Sequence, residues 1–339
     1  MQNTIKYLET NLKNRIFGQN HVIDELVNTL YISKAGLGDT TKPIASFLFT
    51  GSTGVGKTEL VKELAKELNM NLERFDMSEY NDKSSARNLI GSAKGLVGHD
   101  EGGTLTNIIQ DKPQSILLLD EIEKADKSIY DLFLQVFDYG TLMDSKGEKV
   151  DFTKTIIVMT SNLGVKQNDK ITDFLRPEFI NRIDKLLKFQ PLTQDMVIHI
   201  TNKFLEKFSD KLREKNIYLN ISSSAKDYLN EIGFNPKMGA RSINRAINNE
   251  FKTHIAKEIL FGTLTNGGEV SIEYKDEAFV YNYTTKQQVS TASITPFDES
   301  FVPSDYDFET YEEAKIYAQN NRNIAITHAS SGYGYIIKR

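Results

Sequence analysis

The stretch Gly51-Ser52-Thr53-Gly54-Val55-Gly56-Lys57-Thr58 has the residue types that bind a nucleoside triphosphate. It matches G-x-x-x-x-G-K-[ST], in which the glycines let backbone N–H groups converge on phosphate oxygens. In such a loop the lysine reaches the outer phosphates and the threonine hydroxyl holds Mg²⁺. An apolar run over 45–50 precedes the loop, and residues 59–68 after it carry their apolar side chains at helical spacing. Because a phosphate-binding loop requires a strand before it and a helix after it, the sequence predicts a triphosphate and Mg²⁺ site here.

Two carboxylates, Asp120 and Glu121, follow a second apolar run over 115–119. A continuous apolar run is typical of a central parallel strand, and open α/β sheets bind ligands at the carboxyl ends of such strands. In that setting Asp120 would hold Mg²⁺, directly or through water, and Glu121 would polarise the attacking water. Two acids that merely end a strand would explain the pair in isolation; the upstream loop favours the catalytic interpretation.

Asn162 and Arg182 are weaker candidates. Asn162 follows a predicted strand over 154–160 that should lie beside the Asp120 strand, so its amide would position water; an Asn there also fits a turn. Arg182 lies near the end of a short predicted helix over 175–183. Read alone, it fits a surface charge or a catalytic group.

The elements that must position these residues alternate between strand and helix, which predicts a doubly wound parallel sheet with helices on both faces. Strands are predicted over 45–50, 71–76, 115–121, 154–160 and 186–189. After residue 191 long helical patterns dominate, one of them over 240–261, with a short strand predicted over 217–221 and a closing hairpin near residue 285. We therefore predict four parts: an α/β domain over 1–190, a mostly helical domain over 191–285, a polar linker over 286–300 and a small α+β unit over 301–339, with a helix over 311–320 and two strands.

Composition excludes several classes of function. The 339 residues contain no cysteine, which removes disulfides, thiol nucleophiles and cysteine-ligated metal sites. The net charge of −5 argues against nucleic acid as a partner. The N-terminus lacks an apolar signal core, and no run is apolar enough to span a bilayer. We expect a cytoplasmic protein without a membrane partner.

Residues 15–274 resemble the second ATPase module of ClpA and ClpB, the AAA+ protein unfoldases and disaggregases. The resemblance rests on the phosphate loop and on seven further stretches: 17–19, 74–80, 116–125, 151–152, 159–162, 176–182 and 238–241. It implies the AAA+ fold, with the helical domain as a lid, and hydrolysis of ATP with Mg²⁺.

The resemblance also assigns a role to each candidate. Lys57 and Thr58 become the Walker A pair, and Asp120 with Glu121 the Walker B pair. Asn162 becomes the first sensor and Arg241 the second sensor, on the lid. Arg182 becomes an arginine finger donated to a neighbouring subunit, which implies a head-to-tail ring and, in this family, a homohexamer.

Two departures from the family change what is expected of partners. The loop that grips polypeptide usually reads Gly-Tyr-Val-Gly, but here it is Gly95-Leu96-Val97-Gly98, which loses the area and stacking of an aromatic ring. We therefore expect weaker pulling on folded substrates. The segment over 164–170 is short and lacks the Ile-Gly-Leu-type tip with which ClpA docks on the ClpP peptidase, so a ClpP-type partner is not expected.

Three functions are compatible with these features. The first is ATP-dependent remodelling or unfolding of polypeptides by a Clp-like ring. The second is a nucleotide-gated binding or regulatory module whose residues 301–339 recruit a dedicated partner. The third, a DNA-directed AAA+ remodeller, is disfavoured by the acidic charge and the absence of a nucleic-acid motif.

Overall fold

The computed structural model describes residues 5–91, 103–163, 171–235 and 238–285, together with three short strands between residues 307 and 338. The chain divides into two compact units, residues 1–286 and residues 287–339. Four predicted features lie outside the described residues: the loop Gly95 to Gly98, the segment over 164–170, the linker over 286–300 and the helix over 311–320. The finer division of the first unit at residue 190 stays a proposal.

The elements of the first unit follow one another in the predicted order. Its described helices are α1 Leu8–Arg15, α2 Asn20–Lys34, α3 Lys57–Leu68, α4 Lys83–Arg87, α5 Thr104–Asp111, α6 Lys127–Tyr139, α7 Pro177–Ile180, α8 Gln194–Arg213, α9 Ser223–Gly233, α10 Ala240–Ala246 and α11 Thr253–Phe261. Its described strands are β1 Ala45–Thr50, β2 Asn71–Asp76, β3 Ser115–Asp120, β4 Thr141–Met143, β5 Lys149–Asp151, β6 Ile156–Ser161, β7 Lys185–Lys188, β8 Ile217–Ile221, β9 Gly268–Lys275 and β10 Ala278–Thr285.

A five-stranded sheet in the order β2-β3-β6-β1-β7 forms the centre of residues 45–188, and all of its strand pairs are parallel. Side chains from alternate positions of each strand enter two separate cores. Phe47 and Phe49 pack with α1, α2 and α3 on one face, and Leu48 packs with α5 and α6 on the other. Because both faces are covered, the central strands are apolar throughout, and the predicted α/β fold is confirmed.

Helices α8 to α11 and a three-stranded sheet make up residues 194–285 and share a third core. In this sheet β9 lies between β8, which is parallel to it, and β10, which is antiparallel. The predicted single helix over 240–261 is interrupted by a π-helical segment, Ile247–Lys252. The phenolic O–H of Tyr281 donates to the carbonyl of Glu250 within it, at 2.5 Å.

The second unit contains an antiparallel sheet in the order β11-β13-β12. Its strands are β11 Asp307–Phe308, β12 Ala325–His328 and β13 Tyr335–Lys338. The last two were expected from the sequence, whereas β11 was not. Within the described residues, no helix combines the length and the apolar character that crossing a bilayer requires.

Candidate nucleotide site

The carboxyl ends of three neighbouring strands, β1, β3 and β6, meet at one edge of the central sheet. The strand register pairs Thr50 with Ser161, and Leu119 with Met159, so the residues that follow each strand lie side by side. A cavity of about 540 Å³ opens at this edge. Its lining includes six of the seven residues whose side chains were predicted to act in the site: Lys57, Thr58, Asp120, Glu121, Asn162 and Arg241.

The loop between β1 and α3 exposes backbone donors to this cavity. Gly51, Gly54 and Gly56 have φ of +142°, +79° and +110°, a region that side chains beyond glycine rarely adopt. Gly56 is also the N-cap of α3 and provides no side-chain acceptor for the first N–H groups of the helix. The loop and the positive end of the helix dipole therefore form an anion-binding cradle.

Lys57 lies at the base of the cradle with only 8% of its surface exposed. Its ammonium donates to the carbonyls of Gly51 (2.6 Å) and Ser52 (2.9 Å) and to Oδ1 of Asn162 (3.1 Å). Burial lowers the pKa of Lys57 to about 8, and the nearby carboxylate of Asp120 opposes that shift. A triphosphate beside Lys57 would favour its charged form further.

Asp120, at the end of β3, has both carboxylate oxygens occupied by side chains from the neighbouring strands. The hydroxyl of Thr160 donates to Oδ1. Arg74 of β2 donates to Oδ2 from Nε (3.1 Å) and from Nη2 (2.7 Å). Neither partner was identified from the sequence, although Arg74 falls within a stretch that carried the family resemblance.

Glu121 follows in a left-handed conformation (φ +58°, ψ +52°), and its backbone N–H donates to the hydroxyl of Thr160 at 3.1 Å. Its carboxylate accepts from Nδ2 of Asn162 at 3.3 Å and forms an ion pair with Lys124. Asn162 in turn is fixed at its own backbone, whose N–H donates to Glu123 at 3.1 Å. Asn162 thus links Lys57 to Glu121 across the cavity.

The residues at this edge fit a magnesium ion. Thr58 and Asp120 both line the cavity and offer oxygen donors, the ligands that Mg²⁺ prefers. In the described part of the chain, this edge included, no group of three or more His, Asp or Glu side chains is arranged to hold a metal. A site with few protein ligands is what Mg²⁺ uses when phosphates complete its coordination.

The helical part of the unit closes the cavity from above. Arg241, in the first turn of α10, lines it, and the N–H of Ala240 donates to the carbonyl of Gly54 at 3.0 Å. A Cβ on Gly239 (φ +56°) would lie 2.6 Å from that same carbonyl oxygen. The lid and the phosphate loop therefore touch through backbone atoms.

A smaller apolar cavity of about 120 Å³ lies beside the phosphate loop. Its apolar side chains come from four separate parts of the chain: Ile16 with Phe17, Val55, Ile200 with Phe204, and Ala240. The sequence drew attention to Phe17 as part of a motif but gave it no role, because its partners on α8 lie far along the chain.

Arg182 is the one predicted catalytic residue that does not line the large cavity. Its Nε lies 2.7 Å from Oδ1 of Asp138, and half of its side chain (51%) is exposed. The structure therefore separates Arg182 from the six residues that share the cavity.

Two family models match the first unit. Residues 42–186 match the AAA domain (Cdc48 subfamily), and residues 192–272 match the C-terminal D2-small domain of ClpB protein. Together they span the central sheet and the lid.

Curated proteins give the same result at about 40% identity. The chain is similar to the ClpA homolog protein of Fuscovulum blasticum, with 40% identity over 84% of this chain and 38% of that protein. It is 42% identical to Chaperone protein ClpB of Clostridium perfringens over 79% of this chain and 34% of that protein. It is 43% identical to Chaperone protein ClpB of Mycoplasma genitalium over 77% of this chain and 38% of that protein. The chain thus spans little more than a third of the length of these relatives.

Proposed function

Because this chain belongs to the Clp-type AAA+ ATPases, we propose that it hydrolyses ATP between the phosphate loop and α10 and uses the energy to remodel polypeptides. One observation carries the proposal: Lys57, Asp120, Glu121 and Asn162 surround a single cavity that Arg241 closes. A lysine, two carboxylates, an amide and an arginine around one cavity are the groups that transfer of a phosphoryl group to water requires.

ATP would bind with its base in the apolar cavity between Phe17 and Phe204, and its phosphates on residues 51–58. The flat, apolar cavity walls would exclude water from the base, and the backbone N–H groups of the loop would bind the phosphate oxygens. The two cavities share Gly54, Gly56 and Phe204 in their linings, so one nucleotide would span both.

Thr58 and Asp120 would hold Mg²⁺. When bound, the ion neutralises phosphate charge and polarises the bond that breaks. Arg74 already contributes a positive charge at Asp120. Lys57, at the start of α3, and Arg241, on the lid, would bind the outer phosphates from opposite sides of the cavity.

Glu121 would accept a proton from the attacking water. Its oxygen already accepts a hydrogen bond from the Asn162 side chain, which would hold the carboxylate and the water in line with the outer phosphate. The ion pair with Lys124 must loosen for the carboxylate to work as a base, and since Lys124 is half exposed, that costs little.

Arg182 would complete the site of a neighbouring subunit, because it lies outside the cavity of its own chain. Such head-to-tail contacts close into rings, and we propose a homohexamer with polypeptide engaged by Gly95, Leu96, Val97 and Gly98 at its centre. We propose that the ring acts on protein substrates in the cytoplasm. We do not propose a ClpP-type peptidase, a membrane or a nucleic acid as a partner.

The substitution Glu121→Gln tests the hydrolytic part of the proposal. The amide keeps the shape of the side chain but accepts no proton, so turnover should fall by about 10²–10⁴ while binding of a fluorescent ATP analogue persists. Glu148→Gln, on the β4–β5 hairpin, is the matched control and should retain turnover. Unchanged hydrolysis by the Glu121 variant would show that the base is elsewhere.

Remodelling is tested separately with a fluorescent protein that carries an unstructured tag. ATP-dependent loss of its fluorescence supports the unfoldase, and Leu96→Tyr should accelerate that loss by restoring aromatic grip. If ATP is hydrolysed without unfolding, and a partner is captured only by chains that retain residues 301–339, the regulatory alternative is correct.

A further inference from the structure

Helix α6 begins at the turn that carries the catalytic carboxylates. Asp126 caps it by accepting from the N–H of Ser128 at 3.0 Å, and the hydroxyl of Tyr130 donates to the carbonyl of Ile122 at 2.8 Å. Both Asp126 and Ile122 lie within six residues of Glu121. The first turns of α6 are therefore fixed to the turn that follows β3.

The same helix packs against the short helix α7, which precedes Arg182. Phe179 of α7 is fully buried. Its ring centroid lies 5.0 Å from that of Tyr130 and 5.6 Å from that of Phe137. Since Tyr130 contacts both Ile122 and Phe179, α6 connects the catalytic turn of a chain to the segment that carries its arginine finger.

Two acids on one face of α6 pair with the two arginines that flank α7. Asp131 and Asp138 are seven residues apart, which places them about two turns apart on the same side of a helix. Nη1 of Arg176 donates to Oδ1 of Asp131 at 3.0 Å, and Nε of Arg182 lies 2.7 Å from Oδ1 of Asp138. The α7 segment thus runs along α6 with an ion pair at each end.

Asp138 stands at a position that helix physics disfavours. Helix α6 ends at Tyr139, and its last turn contains no basic residue. A carboxylate there meets the negative end of the helix dipole. The pairing of Asp138 with Arg182 offsets this unfavourable interaction with the helix dipole.

We infer that Asp138 is a positioning residue for the arginine finger: it holds Arg182 at Nε and leaves the outer N–H groups directed at a phosphate of the neighbouring subunit. This inference rests on the proposed function, in which Arg182 acts in trans. A guanidinium has five N–H donors in a planar fork. Within the described residues Arg182 pairs only with Asp138, and half of its side chain is exposed, so donors remain for an anion.

The alternative is an ordinary surface ion pair, which contributes little and acts only on its own subunit. The two explanations differ in which subunit loses activity when Asp138 is altered. A positioning role places the loss in the neighbour that receives the finger, whereas a loss of folding stability affects the altered subunit itself.

Mixed assemblies separate these outcomes. One parent carries Glu121→Gln, which donates a finger but does not hydrolyse; the other carries Arg182→Ala, which keeps an intact site but donates no finger. Each parent alone should be inactive, and their mixture should regain ATPase activity. Asp138→Asn is then added to either parent, and Asp131→Asn, on the same face of α6, is the matched control.

We expect Asp138→Asn in the finger donor to lower the kcat of the mixture about tenfold with KM unchanged, since small misplacements of a catalytic group are costly. When Asp138→Asn is placed in the acceptor, the kcat of the mixture should stay within about twofold of the mixture without it. Asp131→Asn in the donor should likewise change the kcat by less than about twofold, because exposed ion pairs contribute little. Equal loss in both placements, or no loss in the donor, would overturn the inference. A mixture that stays inactive without any Asp138 change would instead refute the trans finger itself, and the inference with it.

Discussion

Thr160 has a buried hydroxyl that contacts both proposed catalytic residues, Asp120 through its carboxylate and Glu121 through its backbone. It donates to Oδ1 of Asp120 and accepts from the backbone N–H of Glu121. Only 1% of the residue is exposed, so water cannot replace either hydrogen bond. The orientation of Asp120, the proposed metal ligand, and the left-handed turn at Glu121 thus depend on one side chain of the neighbouring strand β6.

We expect Thr160→Val, which keeps the shape but removes the hydroxyl, to lower kcat about 10–100-fold, as changes around a metal ligand do. It should also cost about 1–3 kcal/mol of unfolding free energy, because the partly buried carboxylate of Asp120 and the backbone N–H of Glu121 each lose a hydrogen-bond partner. Steady-state kinetics and chemical denaturation measure the two effects.

Thr155→Val is the control for this experiment. Thr155 is equally buried, and its hydroxyl donates to the carbonyl of Phe152 at 2.7 Å, away from the cavity. It should lower stability by about 1 kcal/mol and leave kcat unchanged. If both variants lose stability and neither loses kcat, Thr160 has no part in catalysis.

Most residues that line the cavity could be predicted because each belongs to a local pattern: a glycine-rich loop, or an apolar run that ends in polar side chains. Their partners could not. Arg74 meets Asp120 because strands β2 and β3 pair with Asp76 opposite Asp120, a register that only the folded sheet defines. The same holds for Asp138, whose partner Arg182 is 44 residues away in the sequence.

The lid and the phosphate loop are coupled as whole elements through backbone contact and ion pairs. The N–H of Ala240, at the start of α10, donates to Gly54, and two lysines of α8 pair with an acid of α3: Lys203 and Lys207 with Glu59, each at 3.3 Å. A movement of the lid would therefore displace Gly54 and Glu59, which lie on either side of the loop-to-helix junction proposed to bind phosphate.

Gly239→Ala tests the backbone contact, because a Cβ there would lie 2.6 Å from the carbonyl oxygen of Gly54. We expect nucleotide affinity to fall about tenfold, equivalent to roughly 1.4 kcal/mol of binding energy, since the lid can no longer close on the loop. Isothermal titration calorimetry with a non-hydrolysable ATP analogue measures this loss.

Gly36→Ala is the matched control, since Gly36 also has positive φ (+73°) but a Cβ there meets nothing within 4 Å. Backbone strain should cost Gly36→Ala about 1–2 kcal/mol of stability, and Gly239→Ala should lose at least as much, because its Cβ also meets the carbonyl of Gly54. Only Gly239→Ala should lose affinity. Equal affinities would mean that the lid contact has no role in binding.

At the level of elements the sequence predicted the strands well, because continuous apolar runs bounded by turn residues identify buried strands. β1, β2 and β8 have the predicted bounds. The helix over 240–261 was predicted as regular, but the π segment Ile247–Lys252 interrupts it. Apolar periodicity does not reveal such a bulge, which here receives a hydrogen bond from Tyr281 of β10, a residue outside the helix.

At the scale of the whole molecule, the proposed role of Arg182 would make the single chain an incomplete catalyst. Six of the seven side chains predicted to act in the site line one cavity, whereas Arg182 is not part of that lining and pairs with Asp138. A finger supplied by a neighbour stabilises the charge of the transition state and is worth about 10³–10⁵ in rate. Hydrolysis should therefore depend on assembly more than on nucleotide binding.

Dilution tests this dependence directly. At saturating ATP, the ATPase rate per subunit should rise steeply with protein concentration and reach a plateau where sedimentation velocity detects a ring. The Arg182→Ala variant should stay slow at every concentration, even where it sediments as a ring, because assembly without the finger does not complete the site. Its affinity for ATP should match that of the unaltered chain, because Arg182 does not line its own cavity. A monomer that hydrolyses ATP at the plateau rate would show that each chain completes its own site, and the ring would then serve only to engage the substrate.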